Sequence, residues 1–313
     1  MTRIVSLLSS ATEIVCALGC EDQLVGRSHE CDFPESIKQL PLCTEVKFNT
    51  FGTSYEIDQR VRAIVQEGLS VYRVKGDLLR DLSPDIIITQ TQCEVCAVSL
   101  KDVEEATCEL IGDGKRPRVI SLTPNALANI WSDIRRVAEA LDAKEKGEAL
   151  ILSLQRRMRA IAQKTKNLKR PTIASMEWID LLMTGGNWMP ELIEMAGGKN
   201  LFGEAGKHSP MLRWDGFSAS DPDAIIVHPC GWDIPKSREE MKTLIRKSEW
   251  KNLKAVRNGR VFLCDGNQYF NRPGPRIVES LEILAEIFHP EIFSFGHQGR
   301  GWEKMTRRGI LIS

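Results

Sequence analysis

Between Asn125 and Asn167 the chain has no proline and a single glycine, Gly147. Leu127, Ile130, Ile134, Val137 and Leu141 recur there at helical spacing, and so do Leu150, Ile151, Leu154, Met158 and Ile161. A breaker-free amphipathic run of that length predicts one long helix or a nearly continuous pair. Two readings stay open: a pair of ordinary surface helices, or a rigid strut joining two lobes.

On either side of this stretch, short apolar runs alternate with helical patterns. RIVSLL, residues 3 to 8, reads as a buried strand. Ser10-Ala-Thr-Glu13 reads as a capping box, followed by the stripe Ile14, Val15 and Leu18 and a stop at Gly19. Leu24 to Arg27, LSVYRV, Ile86 to Thr89 and Arg118 to Leu122 supply further strands. Helices are expected over 55–67, from Asp77, and over 99–111. After Pro171 the alternation restarts with the strand TIASMEW, the helix MPELIEM, and the strands DAIIV and RVFLC. Strands separated by helices pair in parallel, so the predicted class is α/β. The expected organisation is an N-terminal lobe over 1–123, a linker helix over 124–168 and a C-terminal lobe over 169–313. One echo supports related lobes. Leu82-Ser-Pro-Asp-Ile-Ile-Ile-Thr and Ser220-Asp-Pro-Asp-Ala-Ile-Ile-Val both feed an apolar strand through Pro-Asp, and both strands run out towards a cysteine, Cys93 and Cys230.

The 42 basic residues balance 42 acidic ones, which argues against nucleic acid or an anionic membrane surface as partner. No apolar block is long enough to span a bilayer. MTRIVSLLSSATEIV reads as a strand and helix rather than a secretory leader, because Thr12 and Glu13 interrupt any apolar core. The expectation is therefore a cytoplasmic protein, with a periplasmic one as the alternative if a leader was removed. Nine cysteines in no framework spacing suit free thiols or ligands.

No phosphate-cradling glycine loop, nucleophile elbow or His-Glu-x-x-His pair is present. What remains are polar and aromatic clusters at predicted strand ends, where open parallel sheets bind ligands. These are Ser28-His29-Glu30-Cys31-Asp32, Gln90-Thr91-Gln92-Cys93-Glu94-Val95-Cys96, Glu177-Trp178-Ile179-Asp180 with Asn187-Trp188, His228-Pro229-Cys230-Gly231-Trp232, and the segment from Asp265 to Arg276. Cys93 and Cys96 have zinc spacing, and His29 with Cys31 could complete four ligands to a metal ion. A thiolate stabilised by the following helix is a second reading. Small thiols packed behind a wall of the site are the third. Trp178, Trp188, Trp232 and Tyr269 are flat side chains suited to stacking on a flat, partly apolar ligand. Trp214 and Phe270 lie in the same half, and any tryptophan can equally cap a core. Arg272 and Arg276 sit in a loop stiffened by Pro273 and Pro275 and can reach carboxylates or amides.

The segments IVSLLSSATEIVCALG, LVGRSHECDFP, QCEVCAVS, GNWMPELIEMAGG, DPDAIIVHPCGW and AVRNGRVFLCDGNQYFNRPGPRIVESLEILAEIFHPE resemble the cobalamin-binding-protein group of the iron-siderophore/cobalamin periplasmic binding protein superfamily. The resemblance covers nearly the whole chain. It implies two Rossmann-like α/β lobes with central parallel sheets joined by a long backbone helix, a corrinoid such as cobalamin as ligand, and a link to an ABC transporter. It makes His29 and His228 candidates for an axial cobalt ligand.

The leading expectation is a non-catalytic binding protein that holds a corrinoid or another flat organic or metal-chelate small molecule. Trp178, Trp188, Trp232 and Tyr269 would stack on it. His29, Glu30, Asp32, Gln92, Cys93, Glu94, His228, Asn267, Asn271 and Arg272 would line or orient it. The loops around His29, Cys93, Trp188, His228 and Asn271 are expected to share one groove. The alternative is a metal- or thiol-dependent enzyme, or a metal-handling protein, using His29, Cys31, Cys93 and Cys96, with Glu30 or Glu94 carrying protons.

Overall fold

A computed structural model describes residues 1–67, 70–91, 103 and 116–305. The chain runs through β1 (Ile4–Ser6), α1 (Ser9–Ala17), β2 (Leu24–Arg27), β3 (Thr44–Val46), α2 (Ser54–Gln66), β4 (Tyr72–Val74), α3 (Gly76–Leu82), β5 (Ile86–Gln90) and β6 (Arg118–Leu122). Next come α4 (Leu127–Ala140) and α5 (Lys144–Thr165). The remainder is β7 (Thr172–Trp178), β8 (Met183–Thr184), α6 (Met189–Met195), β9 (Lys199–Asn200), α7 (Trp214–Ala219), β10 (Ala224–Val227), α8 (Ile234–Ile245), α9 (Lys254–Arg257), β11 (Val261–Cys264), α10 (Ile277–Phe288) and β12 (Trp302–Lys304). The helix expected over 99–111 lies outside the described residues.

Two compact units make up the chain. One is Met1–Gly52, Glu56–Pro124 and Ala128–Ser153; the other is Thr53–Tyr55, Asn125–Leu127 and Leu154–Ser313. The division falls inside α5, between Ser153 and Leu154, not at the ends of the linker expected over 124–168. The amphipathic stretch is a pair of helices. Asp142 turns left-handed, with φ 52°, and the Ala143 N–H reaches back to Ala138 O, which stops α4 without proline or glycine. Gly147 lets α5 approach α4, since a Cβ there would lie 2.5 Å from that of Ala138.

In the first unit the sheet order is β2-β1-β5-β6, all parallel, with β3 and β4 forming a separate antiparallel pair. β5 lies between β1 and β6 and is buried along its whole length. In the second unit the order is β12-β11-β10-β7-β8, with β9 also on β7. There β11, β10, β7 and β9 are parallel, and β12 and β8 are antiparallel edges. Ala224 to Val227 of β10 are all fully buried at its centre.

The capping box expected at Ser10 does not form. The N-cap is Leu8, two residues earlier, α1 begins at Ser9, and among the described residues no side chain caps it. The stripe it was inferred from is real, because Ile14, Val15 and Leu18 are all buried.

The Pro-Asp echo has a physical role. Ser83 and Asp221, each just before the proline, both adopt positive φ, 41° and 39°. The following aspartate then clamps the start of the adjacent parallel strand. Asp85 accepts the Arg3 N–H at 2.8 Å, and Asp223 accepts the Thr172 N–H at 2.8 Å and its hydroxyl at 2.9 Å. Pinning strand starts fixes register, and hence where the carboxyl ends finish. Burial works against ionisation of Asp223, but Lys254 and the two Thr172 donors outweigh it and hold its carboxyl at about 2, below the ordinary 3.8. The unfolded chain therefore binds this proton more readily, so the contribution is present above about pH 4 and fades towards pH 2. We expect Asp223→Ala to cost about 1–2 kcal/mol at neutral pH and to flatten the acid limb between those values. Urea midpoints against pH check both; an unchanged acid limb would refute the clamp.

Candidate functional site

Candidate side chains cluster beyond the carboxyl ends of the parallel strands in each unit. In the first unit, β2 ends at Arg27 and the chain turns through Ser28, His29, Glu30, Cys31 and Asp32. Thr44 of β3 organises that turn. Its hydroxyl oxygen lies 3.1 Å from the His29 amide, 2.7 Å from His29 Nδ1 and 3.0 Å from Ser28 Oγ. The Thr44 hydroxyl can donate to Nδ1 or accept from it, according to the tautomer of the ring. His29 Nε2 is buried with no hydrogen-bond partner. Burial first, and then the nearby Arg27 guanidinium, lower the imidazole's pKa and favour the neutral ring. The ring lies 5.2 Å from that of Tyr72, whose hydroxyl donates to Glu30 Oε1 at 3.1 Å. Cys31 turns inward, where it is buried and accepts from the Thr12 hydroxyl at 3.0 Å. Asp32 follows on the same loop, half-buried.

In the second unit Trp178 ends β7 and Trp232 lies beyond β10. Their rings are 4.8 Å apart and tilted by 44°, and both are half-buried. The Trp178 indole N–H is buried without a partner among the described residues. Asp233 caps α8 by accepting the Lys236 N–H at 2.8 Å, and Lys236 Nζ lies 4.9 Å from the centre of the Trp232 ring. The segment after β11 forms a π-turn over Gly266–Phe270. Asp265 Oδ1 accepts the amides of Asn267 and Gln268 at 3.0 and 2.7 Å. Asn271 Nδ2 donates to His228 O and Gly266 O, Arg272 to Asn267 Oδ1, and Arg276 to Gln268 Oε1. Tyr269 is held by the Arg276 guanidinium, 5.4 Å from its ring centre, and by the edge of His297.

Trp188 and His228 are interior. The Trp188 indole donates to Phe270 O at 2.9 Å, and the fully buried His228 ring packs 5.2 Å from Phe270. Both hold the π-turn from behind, and in this structure neither offers a face to a solute. Trp214 packs in the core against Phe217 and Trp250.

Gln92, Cys93, Glu94 and Cys96 lie outside the described residues. Among the described residues no three of His, Cys, Asp and Glu converge closely enough to hold a metal ion. His29 and Cys31 engage different neighbours, Thr44 and Thr12. Three organising residues escape sequence reasoning: Thr44, Tyr72 and Lys236. The first two reach the loop only because β3 and β4 pair across the chain, and no local motif announces that. Lys236 is one of many helix-surface lysines until the fold sets it over Trp232.

The family model described as periplasmic binding protein matches residues 4–268. The chain is 23% identical to an uncharacterised ABC transporter substrate-binding lipoprotein of Bacillus subtilis, over 93% of this chain and 81% of that one. It is 23% identical to a vitamin B12-binding protein of Vibrio parahaemolyticus, over 91% and 89%. The crystal structure of a periplasmic haem-binding protein from Pseudomonas aeruginosa superposes with a TM-score of 0.67 at 22% identity, covering 92% of this chain and 93% of that one. Parallel sheets with clusters at their carboxyl ends, and a family match over most of the length, agree: the chain belongs to the periplasmic binding protein family.

Proposed function

We propose that the chain is a solute-binding protein for a flat organic or metal-chelate ligand of the corrinoid or haem kind, and that it serves an ABC transporter. The observation that carries the reading is the half-buried Trp178–Trp232 pair beyond the ends of β7 and β10, with Lys236 beside it. Two indoles supply a wide apolar surface at low entropic cost, and the ammonium suits an acidic or amide edge. Tyr269, Asn267 and Asn271 would orient the ligand with little reorganisation, since Arg272, buried behind them, holds Asn267 and the turn's own carbonyls hold Asn271. Glu30, Asp32 and His29 would do so in the first unit. Relatives named for vitamin B12 and haem support this ligand class. Relatives named lipoprotein or periplasmic favour the periplasmic alternative over a cytoplasmic one. No helix among the described residues is long and apolar enough to cross a membrane.

Isothermal titration with cobalamin, cobinamide and haem tests the reading. At least one should bind, and Trp178→Ala or Trp232→Ala should weaken it about five- to tenfold, the worth of one aromatic contact. Silence with all three compounds, with tryptophan fluorescence unmoved, overturns it.

A further inference from the structure

The amino end of α1 lacks the partners that a buried helix end requires. Leu8, its N-cap, has no oxygen-bearing side chain, and no side chain caps the helix. The first four amides of a helix have no intrahelical acceptor. Here the first intrahelical bond runs from Thr12 N–H to Leu8 O at 3.2 Å. Among the described residues no acceptor serves the amides of Ser9, Ser10 or Ala11. Exposure to water does not explain this, because Ser9 is 9% exposed, Ser10 3% and Ala11 0%. An independent side chain adds to the deficit. Ser10 Oγ is buried with no hydrogen-bond partner among the described residues. Helical Cα–Cβ bonds tilt towards the amino end, so this hydroxyl is directed at the same spot as the orphan amides. The neighbouring hydroxyls are engaged elsewhere: Ser9 with Glu30 O, Thr12 with Ser6 Oγ and Cys31.

We infer that the amino end of α1, with the amides of Ser9, Ser10 and Ala11 and the Ser10 hydroxyl, is a binding site for a carboxylate oxygen of the ligand. Four convergent donors in a buried setting need a strong acceptor, and the helix dipole adds attraction for a negative one. The charge around them sets the class. Glu13, one turn further along α1, is buried, and Glu30 and Asp32 lie on the loop that Ser9 contacts. Three acidic residues disfavour a dianion such as phosphate and leave room for a single negative charge shared among donors. The inference rests on the proposed binding role, since it names a group that the ligand carries.

Acetate is the probe, followed by amide NMR of the full chain at constant ionic strength with chloride as control. The Ser9, Ser10 and Ala11 amide protons should move downfield and saturate with acetate, and inorganic phosphate should bind at least tenfold more weakly. Ser10→Ala should weaken acetate about tenfold. Ser9→Pro is the second variant. Proline suits the first helical position, and Leu8 already has the extended backbone that a following proline needs, at φ −153° and ψ 150°. It removes one donor without removing the helix, and it too should weaken acetate. Shifts that fail to saturate, or that persist unchanged in both variants, overturn the site. Acetate does not depend on tryptophan stacking, so a silent chelate titration beside saturable acetate shifts would fault the ligand class rather than this site.

Discussion

Gly266→Ala should destabilise the second unit by at least about 3 kcal/mol, enough to lower its denaturation midpoint severely. A Cβ at this position would lie 2.0 Å from Pro229 O and 2.8 Å from the His228 carbonyl carbon and oxygen. These are backbone atoms at the end of β10, so no rotamer change relieves the overlap. The same residue donates to Trp232 O at 2.9 Å, and its own carbonyl accepts from Asn271. Gly266 is thus where the turn after β11 presses against the loop after β10, and a methyl group there would push both candidate ligand loops apart. Gly216→Ala is the control. It lies in α7, its nearest would-be contact is an ordinary 3.7 Å, and helix propensity favours alanine by up to about 1 kcal/mol. Guanidinium denaturation of the two variants should therefore give shifts of opposite sign. Equal shifts would mean that the backbone contact at Gly266 is slack. Ligand binding should suffer in the same variant, because Trp232 and Asn267 both depend on that contact.

Much of the frame is written in local pattern. Runs such as Ile86–Ile88 and Ala224–Val227 are apolar on both faces, which only a covered parallel strand requires, and they are central strands. The two Pro-Asp segments reveal their kinship in sequence, although the clamp they perform needs a neighbouring strand to be seen. The family motif and the fold class follow from the same segments. What escapes is anything set by distant pairing. Ser10 and Glu13 have the spacing of a capping box, but burial of Ser10 inside the unit moves the helix start to Ser9 and leaves the hydroxyl unpartnered. The aromatics divide for the same reason. Trp178, Trp188, Trp214 and Trp232 look equivalent as loop residues in the sequence. The fold buries Trp188 and packs the half-buried Trp214 against Phe217 and Trp250, while Trp178 and Trp232 stand half open beyond the strand ends. The DGNQYFNRPGPR segment reads as ligand-facing polarity, yet its amides and guanidinium groups bond first to one another. Such prearrangement is useful in a binding loop and cannot be distinguished from free polarity by composition.

His228→Phe should make the protein more resistant to acid than the parent chain. His228 is fully buried at the end of β10 and stacked on Phe270, and among the described residues neither ring nitrogen has a partner. Burial strips the imidazolium of hydration and pushes the pKa down from 6.5 to about 3. In the unfolded chain the ring regains its ordinary value, so the unfolded state binds the proton first as pH falls. The folded state therefore keeps its full share of stability above pH 6.5 and loses it progressively down to about pH 3. At pH 4.5 the loss from this one residue is on the order of 3 kcal/mol relative to neutrality. Phenylalanine has a similar flat shape, keeps the ring contact and carries no titrating nitrogen. At pH 7.5 it should change stability by no more than about 1.5 kcal/mol, since similar shapes are tolerated and two unsatisfied polar atoms disappear. Guanidinium midpoints from pH 7.5 to 4.5 should then fall more steeply for the parent than for the variant. Parallel pH profiles would show that the imidazole is already protonated, or hydrated, inside the fold. His228 also supports the proposed site, because its carbonyl anchors Asn271 and its ring supports Phe270, whose own carbonyl holds Trp188. In the fold the ring stays neutral down to about pH 3, so between pH 7.5 and 4.5 the folded parent and His228→Phe should bind ligand alike and diverge only where the parent begins to unfold.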